Sequence, residues 1–316
     1  NCAVPGERPP VSRVGGPRGD VRRDRTEPFD LEQGPLIRCR VALSDDAHAV
    51  IMIANHHILM DGWSMPVMFD ELSKLYAANV QMNDAALSLA FDWTAHLRWL
   101  ATRSRAESAA YWREYLREVE GPSRLDLSTP QPDRGMGEQL VTLSEEQTAR
   151  IERYAREHGL TQSTVLQGMY ALLLGRLSGL NQLTIGAVRS GRGSELSGID
   201  RALGMFIETV PVYYTWKAND RASQWLKDQQ VAQSAHDQHA YYGLSEIQSL
   251  VGTSAEALFE ALYVFENYPV GSDQPQFGGL EIESLKGQDG AHYPLALAVV
   301  PGRQMRLRLS YDRARQ

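Results

Sequence analysis

Short apolar runs with strand character alternate with helical segments along both halves of this chain. In the first half they span residues 36–43, which alternate loosely, and 48–54, which are apolar almost throughout. Runs of this length and composition predict β-strands. The second half has further strand candidates at residues 183–187, 206–214, 262–265, 295–300 and 305–309. Because strands and helices are mixed in both halves, the sequence predicts an α/β protein with two lobes of similar size.

The predicted helices carry recognisable start and stop signals. Ser64, followed by Pro66 in the first turn, predicts an N-cap, and Ser144 predicts another for a helix that runs to about His158. Gly159 ends that helix, because glycine readily adopts the left-handed conformation that follows a helix. Further helices are expected at residues 91–103, 107–119, 161–177 and 221–236.

Composition shifts divide the chain. Residues 1–28 are rich in Pro, Gly and Arg with few apolar side chains, which predicts a loop or poorly ordered segment. Two prolines in a polar setting at residues 127–133 predict a linker. We therefore expect an N-terminal lobe over residues 29–127 and a C-terminal lobe over residues 128–316.

Charge and composition argue against several classes of protein. The 316 residues carry 32 Lys and Arg against 39 Asp and Glu, a formal net charge of −7, which disfavours nucleic acid as a partner. Apolar stretches are far shorter than the ~20 residues of a membrane span. The two cysteines, Cys2 and Cys39, cannot form a disulfide framework. The first residues have no secretory signal pattern, so we expect a cytoplasmic protein.

One polar loop concentrates the reactive side chains. His56, His57, Asp61 and Gly62 lie between the end of the apolar run 48–54 and the helix predicted at Ser64. A loop at the end of a buried strand is held by the sheet and still reaches solvent. A histidine there can accept a proton near neutral pH without a large pKa shift.

Two other interpretations of this loop are weaker. His56, His57 and Asp61 offer three metal ligands, but neighbouring residues rarely aim at one ion and no fourth ligand is obvious. A serine or cysteine hydrolase lacks support, because the sequence contains no G-x-S-x-G motif and neither cysteine has a convincing nucleophile setting.

The run from Asn55 to Ser64, NHHILMDGWS, resembles the active-site motif HHxxxDG of nonribosomal peptide synthetase condensation domains, in the chloramphenicol acetyltransferase-like superfamily. Other segments resemble the same family in the same order: residues 27–38, 110–116, 125–127, 191–199, 203–211, 265–269 and 292–295. The resemblance therefore runs from Glu27 to the C-terminal end. These domains normally have further elements on both sides, so we expect a fragment of a multidomain enzyme.

The resemblance implies two chloramphenicol acetyltransferase-like lobes, with mixed sheets, flanking helices and an active-site passage between them. It implies peptide-bond formation between a donor thioester and an aminoacyl thioester, both on phosphopantetheine arms of carrier proteins beside adenylation domains. No intrinsic cofactor or metal is implied. His57 is expected to take the proton or stabilise charge, Asp61 to hold the loop through an ion pair, and His56 to orient it. Gly62 is expected to permit a backbone conformation or close approach.

Several questions stay open at this level. A coenzyme A-dependent or ester-forming acyltransferase, an epimerising relative and a silent carrier-docking platform are the alternatives. The family usually has Asn at the position of Glu208 and commonly Arg at that of Tyr213. If that Arg is the usual partner of the motif Asp, Asp61 needs another. The loop from Arg189 to Arg192 is expected to be a solvated hinge, with contact to a phosphopantetheine phosphate as the second interpretation.

Overall fold

The computed structural model describes residues 11–13, 27–43, 48–125, 135–193, 195–252, 258–268, 277, 279–283 and 293–315. The linker expected at residues 127–133, and residues 269 and 292 of the family-like segments, lie outside them. The lobe boundary expected between residues 127 and 128 therefore stays a prediction.

A small three-stranded sheet carries the motif loop in the first lobe. Strand β1 (Val11–Arg13) pairs in parallel with β2 (Ile37–Leu43), and β2 pairs antiparallel with β3 (Ala49–Asn55). The strands β2 and β3 confirm the prediction, whereas β1 lies in a segment for which the composition predicts a loop. Helices α1 (Ser64–Gln81) and α2 (Trp93–Ala101) follow.

The second lobe is built on a mixed six-stranded sheet. Its strands are β4 (Met136–Thr142), β5 (Gln182–Arg189), β6 (Glu208–Thr215), β7 (Ala261–Phe265), β8 (Leu295–Val300) and β9 (Arg306–Asp312). Their spatial order is β4-β9-β8-β7-β5-β6, with β7 parallel to both β5 and β8. Strand β4 and one short helix are not predicted by the sequence, because neither carries a strong periodic signal.

Helices cover this sheet and supply its core. They are α3 (Arg105–Tyr115), α4 (Glu145–His158), α5 (Gln162–Ser178), α6 (Ala222–His239) and the unpredicted α7 (Leu244–Leu250). Trp112 of α3 and the neighbouring Leu116 are almost fully buried in one cluster with Ile185, Val212 and Phe259. Helix α3, which the sequence assigns to the N-terminal lobe, therefore packs into the core of the second sheet.

Local capping signals predict one helix start correctly and another wrongly. Ser144 and Gln147 form a reciprocal capping box at the start of α4, and Gly159 ends that helix with a φ of 65°. Ser64, by contrast, is the first residue of α1 rather than its N-cap, which is Trp63. The capping oxygen comes from Asp61, whose Oδ1 accepts the Ser64 amide at 3.0 Å.

Candidate active site at the seam between the lobes

The motif loop begins where β3 ends and turns immediately. The backbone amide of His56 donates to the carbonyl of Leu36 at 2.9 Å, which fixes the start of the loop to β2. The amide of Leu59 then donates to the His56 carbonyl at 3.0 Å and closes a turn. The pairing of β2 with β3 thus fixes the position of His57, the residue that follows His56 in the loop.

Asp61 is the buried anchor of this loop. Asp61 is 1% exposed, and its Oδ1 accepts hydrogen bonds from the Ser64 amide at 3.0 Å and the Ser64 hydroxyl at 2.9 Å. Its other oxygen, Oδ2, accepts from the amide of Phe206, in the second lobe, at 3.0 Å. The Asp61 amide donates to the Gly204 carbonyl at 3.1 Å. Asp61 therefore joins the loop, the start of α1 and a segment of the second lobe.

The partner that the sequence left unnamed is Arg192. Its Nη2 lies 2.9 Å from Asp61 Oδ1, and the side chains are 1% and 0% exposed. Its Nη1 donates to the carbonyls of Ile199 and Ala202, each at 2.7 Å. The guanidinium also lies over the Phe206 ring, 4.4 Å from the centroid. Burial lowers the pKa of Arg192 from its ordinary value, while Asp61 opposes that shift.

This arrangement corrects the interpretation of the loop that begins at Arg189. Arg192 is not a solvated hinge residue, because its side chain is buried and all its described contacts are internal. Tyr213 is not near Asp61 in the hydrogen-bond network: its hydroxyl donates to Gln182 and its amide donates to the Tyr115 hydroxyl. The preceding residue, Gly191, has a φ of 62°, and a side chain there would collide with the Phe206 carbonyl.

The two histidines have different surroundings. His57 is exposed, and its ring hydrogen-bonds no residue in the described part of the chain. His56 is half-buried, and its Nδ1 accepts the Ile58 amide at 3.2 Å. Its ring meets that of Phe29 edge-on, with centroids 6.3 Å apart. The His57 ring is therefore available to a substrate, while the His56 ring stabilises the turn that presents it.

Gly62 is required by the close approach of Tyr268. A Cβ at Gly62 would lie 2.5 Å from the Tyr268 hydroxyl oxygen and 2.7 Å from Cζ. The Tyr268 ring also meets Trp63 edge-on at 6.4 Å. Tyr268 follows β7, so this contact brings the second sheet onto the motif loop. The sequence anticipated a close approach at Gly62 but not the residue that makes it.

Additional contacts bind the segment 195–206 to the first lobe. The indole of Trp63 donates to the Asp200 carbonyl at 2.8 Å, and Arg201 pairs with Asp70 at 2.7 Å. Glu195 accepts from Trp99 and pairs with Arg103 of the first lobe. The motif loop is consequently held from both lobes.

Glu208, the residue that departs from the family pattern, is a half-buried acid at the start of β6. Desolvation raises its pKa to about 7. Its Oε2 has no hydrogen-bond partner among the described residues. Glu208 lies two residues after Phe206, whose backbone amide donates to Asp61 Oδ2.

No group of three His, Cys, Asp or Glu that could hold a metal ion occurs among the described residues. Within that same part of the chain, no helix has both the length and the apolar character needed to cross a bilayer.

Comparison with known proteins identifies the family. The sequence profile described as "Condensation domain" matches residues 20–315. This chain belongs to the condensation domain family. A linear gramicidin synthase subunit from Brevibacillus parabrevis is 33% identical over 301 residues, which cover 93% of this chain and 6% of that protein. The condensation domain thus spans a small fraction of the curated relatives it matches.

Solved structures share the fold. The X-domain from teicoplanin biosynthesis superposes with a TM-score of 0.77 at 20% identity, covering 96% of this chain and 73% of that one. The starter condensation domain of rhizomide synthetase, solved with C8-CoA, gives a TM-score of 0.75 at 19% identity, covering 98% and 73%. These likenesses confirm the expected two-lobed α/β fold. Condensation domains of nonribosomal peptide synthetases are acyltransferases that form amide bonds, and family membership confirms that expectation here.

Proposed function

We propose that this domain joins a donor acyl or peptidyl thioester to the amine of an acceptor aminoacyl thioester, each held on the phosphopantetheine arm of a carrier protein. The observation that carries the proposal is the exposed ring of His57 on a loop held by the buried Asp61–Arg192 pair. A rigid loop with one free imidazole at the seam suits two substrates that arrive on separate arms.

The reaction makes modest demands on this site. The acceptor nitrogen attacks the donor carbonyl, an N–C bond forms, and the donor C–S bond breaks to release the donor arm as a thiol. An α-amine has a pKa of ~8, so a useful fraction is neutral at physiological pH. His57 takes the proton that the nitrogen loses, or stabilises the charge that develops during attack. General-base catalysis would contribute ~10²–10⁴ in rate.

The remaining loop residues position this imidazole. Asp61 is not presented to a substrate, because its side chain is buried and both oxygens accept hydrogen bonds inside the protein. His56 stabilises the turn through Ile58, and Gly62 lets Tyr268 pack against the loop. We assign these three residues to positioning and His57 to catalysis.

Partners follow from the same proposal. The curated relatives are far longer synthetases, which supports carrier and adenylation domains as neighbours. The cytoplasm is part of the proposal and rests on the sequence expectation alone. Phosphopantetheine would arrive on the carriers as part of the substrate. Nucleic acid and membrane have no part in the proposal.

Two related activities have a specific observation in their favour. Coenzyme A as donor is supported by the similar starter domain that was solved with C8-CoA. A docking role is supported by the likeness to the X-domain, a structure of which is a complex with OxyB. Ester formation and epimerisation use the same loop and lack such an observation.

The test compares wild type, His57→Ala and the matched control His158→Ala. A donor-loaded and an acceptor-loaded carrier are mixed with each protein, and the acceptor carrier is weighed by intact mass spectrometry. We expect His57→Ala to reduce condensation by about 100-fold or more with an unchanged circular dichroism spectrum, and His158→Ala to retain wild-type rates. Full activity of His57→Ala would overturn the catalytic assignment. Equal rates with coenzyme A thioesters would favour the coenzyme A hypothesis, and carrier binding without any product would favour a docking platform.

A further inference from the structure

A cavity of about 490 Å³ lies in the second lobe. Its walls come from the first turn of α5, from α6, and from the ends of β5 and β7. Asn267, which lines it, directly precedes Tyr268, whose ring contacts Gly62 of the loop. This volume is in the range of small-molecule sites. One wall of the cavity is therefore a single residue along the chain from the tyrosine that packs on the motif loop.

Eight of the twelve residues that line the cavity are neutral and polar, two are charged, and Phe265 and Pro301 are apolar. Four of the lining residues have amide side chains and four have hydroxyl side chains: Gln162, Gln230, Gln233, Asn267, Thr161, Ser163, Thr164 and Ser234. The two charged residues, Arg189 and Asp237, neutralise each other through contacts of 2.5 and 2.6 Å. The cavity consequently presents hydrogen-bonding groups without an unbalanced charge.

Part of this lining is already committed to the fold, and part is free. The Gln230 amide oxygen accepts from the Thr161 amide at 2.8 Å, and its nitrogen donates to the Gly159 carbonyl at 3.0 Å. The side chains of Gln162, Ser163 and Asn267 form no hydrogen bond with another described residue. These three can therefore bind a ligand without breaking a hydrogen bond to a described residue.

We propose that this cavity is a specificity subsite that receives a neutral hydrogen-bonding side chain of one of the two aminoacyl groups, with Gln162, Ser163 and Asn267 as its contacts. The inference rests on the proposed function and adds the class of substrate. A carboxamide or hydroxyl side chain satisfies these groups. An apolar side chain of the same shape leaves them unpaired after desolvation, which is the basis of strong discrimination.

The probes are stable aminoacyl-pantetheine amides of asparagine and leucine, whose side chains have nearly the same shape, together with unloaded pantetheine. Binding to the full chain is measured by calorimetry, so the result does not depend on turnover. We expect wild type to bind the asparagine probe about tenfold more tightly than the leucine probe, the ratio that one or two net hydrogen bonds provide. The variant Gln162→Leu/Ser163→Ala should reduce that ratio to twofold or less. The control Gln139→Leu, on β4, should keep it.

Three outcomes would contradict the inference. Equal binding of both probes to wild type removes the subsite, even if the carrier assay confirms condensation. A ratio that survives in Gln162→Leu/Ser163→Ala places the selectivity elsewhere. If that variant weakens unloaded pantetheine as much as the asparagine probe, the cavity holds the arm rather than the side chain. Should the double variant melt earlier than wild type, Gln162→Leu alone is used, because that side chain makes no hydrogen bond with a described residue.

Discussion

Arg192 Nη2 and Asp61 Oδ1 lie 2.9 Å apart across the seam between the lobes, with both side chains buried. The two residues are 131 positions apart in the chain. One belongs to the motif loop and the other to a glycine-rich segment that follows β5. Their ion pair is the contact through which the second lobe fixes the loop that carries His57.

Loss of this arginine should destabilise the protein strongly. We expect Arg192→Ala to lower the free energy of unfolding by about 3–5 kcal/mol, because it leaves a buried carboxylate without its cation. Arg201→Ala is the matched control, since Arg201 also crosses between the lobes but its pair with Asp70 is 41% exposed on each side. That control should lose less than about 1 kcal/mol. Urea unfolding measures both, and similar losses would show that the buried pair has no special weight.

Gly62 should not tolerate a methyl group while Tyr268 is present. Gly62→Ala places a Cβ 2.5 Å from the Tyr268 hydroxyl oxygen, and we expect a loss of about 1–3 kcal/mol and of condensation activity. Adding Tyr268→Ala should restore part of the stability, because it removes the atoms that collide. Gly121→Ala is the control, as nothing lies within 4 Å of its added Cβ. Thermal melting that ranks Gly121→Ala with Gly62→Ala would contradict the steric argument.

Glu208 should make the protein less stable as the pH rises through weakly acidic values. Its folded-state pKa is raised to about 7, so between the unfolded value near 4.5 and pH 7 the unfolded state releases the proton first. Unfolding is thereby favoured by about 3 kcal/mol above pH 7. Glu208→Gln should remove that loss, which unfolding curves at pH 5 and pH 8 will show. An unchanged difference between the two pH values would mean that Glu208 does not titrate in this range.

His236 should make the protein less stable as the pH falls into the acidic range. It is 0% exposed and stacked on Trp112, and desolvation lowers its pKa to about 3. Below pH 6.5 the unfolded state binds a proton that the folded state rejects, so stability falls as the pH falls towards 3. We expect His236→Phe to reduce the loss between pH 7 and pH 4.5 by about 2 kcal/mol. An acid unfolding curve identical to wild type would assign that loss to other groups.

Much of the fold could be predicted because its signals are local. The apolar runs predict β2, β3, β5, β7 and β8, and a serine cap with a glycine stop predicts α4. The sequence did not predict β1 and β4, because a three-residue strand has no periodicity and β4 is mostly exposed and polar. Their pairing with β2 and β9 is what makes them strands.

The candidate site could be predicted only in part. The motif loop, its place after a strand and the expected role of Asp61 in holding the loop follow from adjacent residues and the resemblance they carry. The start of α1 was wrong, because Ser64 is a typical capping residue and Asp61, three positions earlier, supplies the oxygen instead. The role of Tyr268 depends on how the second sheet lies against the loop, which no local pattern encodes.

The sequence by itself determined the two α/β lobes, the loop from His56 to Gly62 and the family resemblance, because each depends on neighbours within a few positions. Only the tertiary structure decided that Arg192 rather than a residue at position 213 balances Asp61, and that Asn267 and Gln162 line one cavity. Such contacts join residues far apart in the chain. They are set by packing, which selects among many polar residues the few that can be buried together.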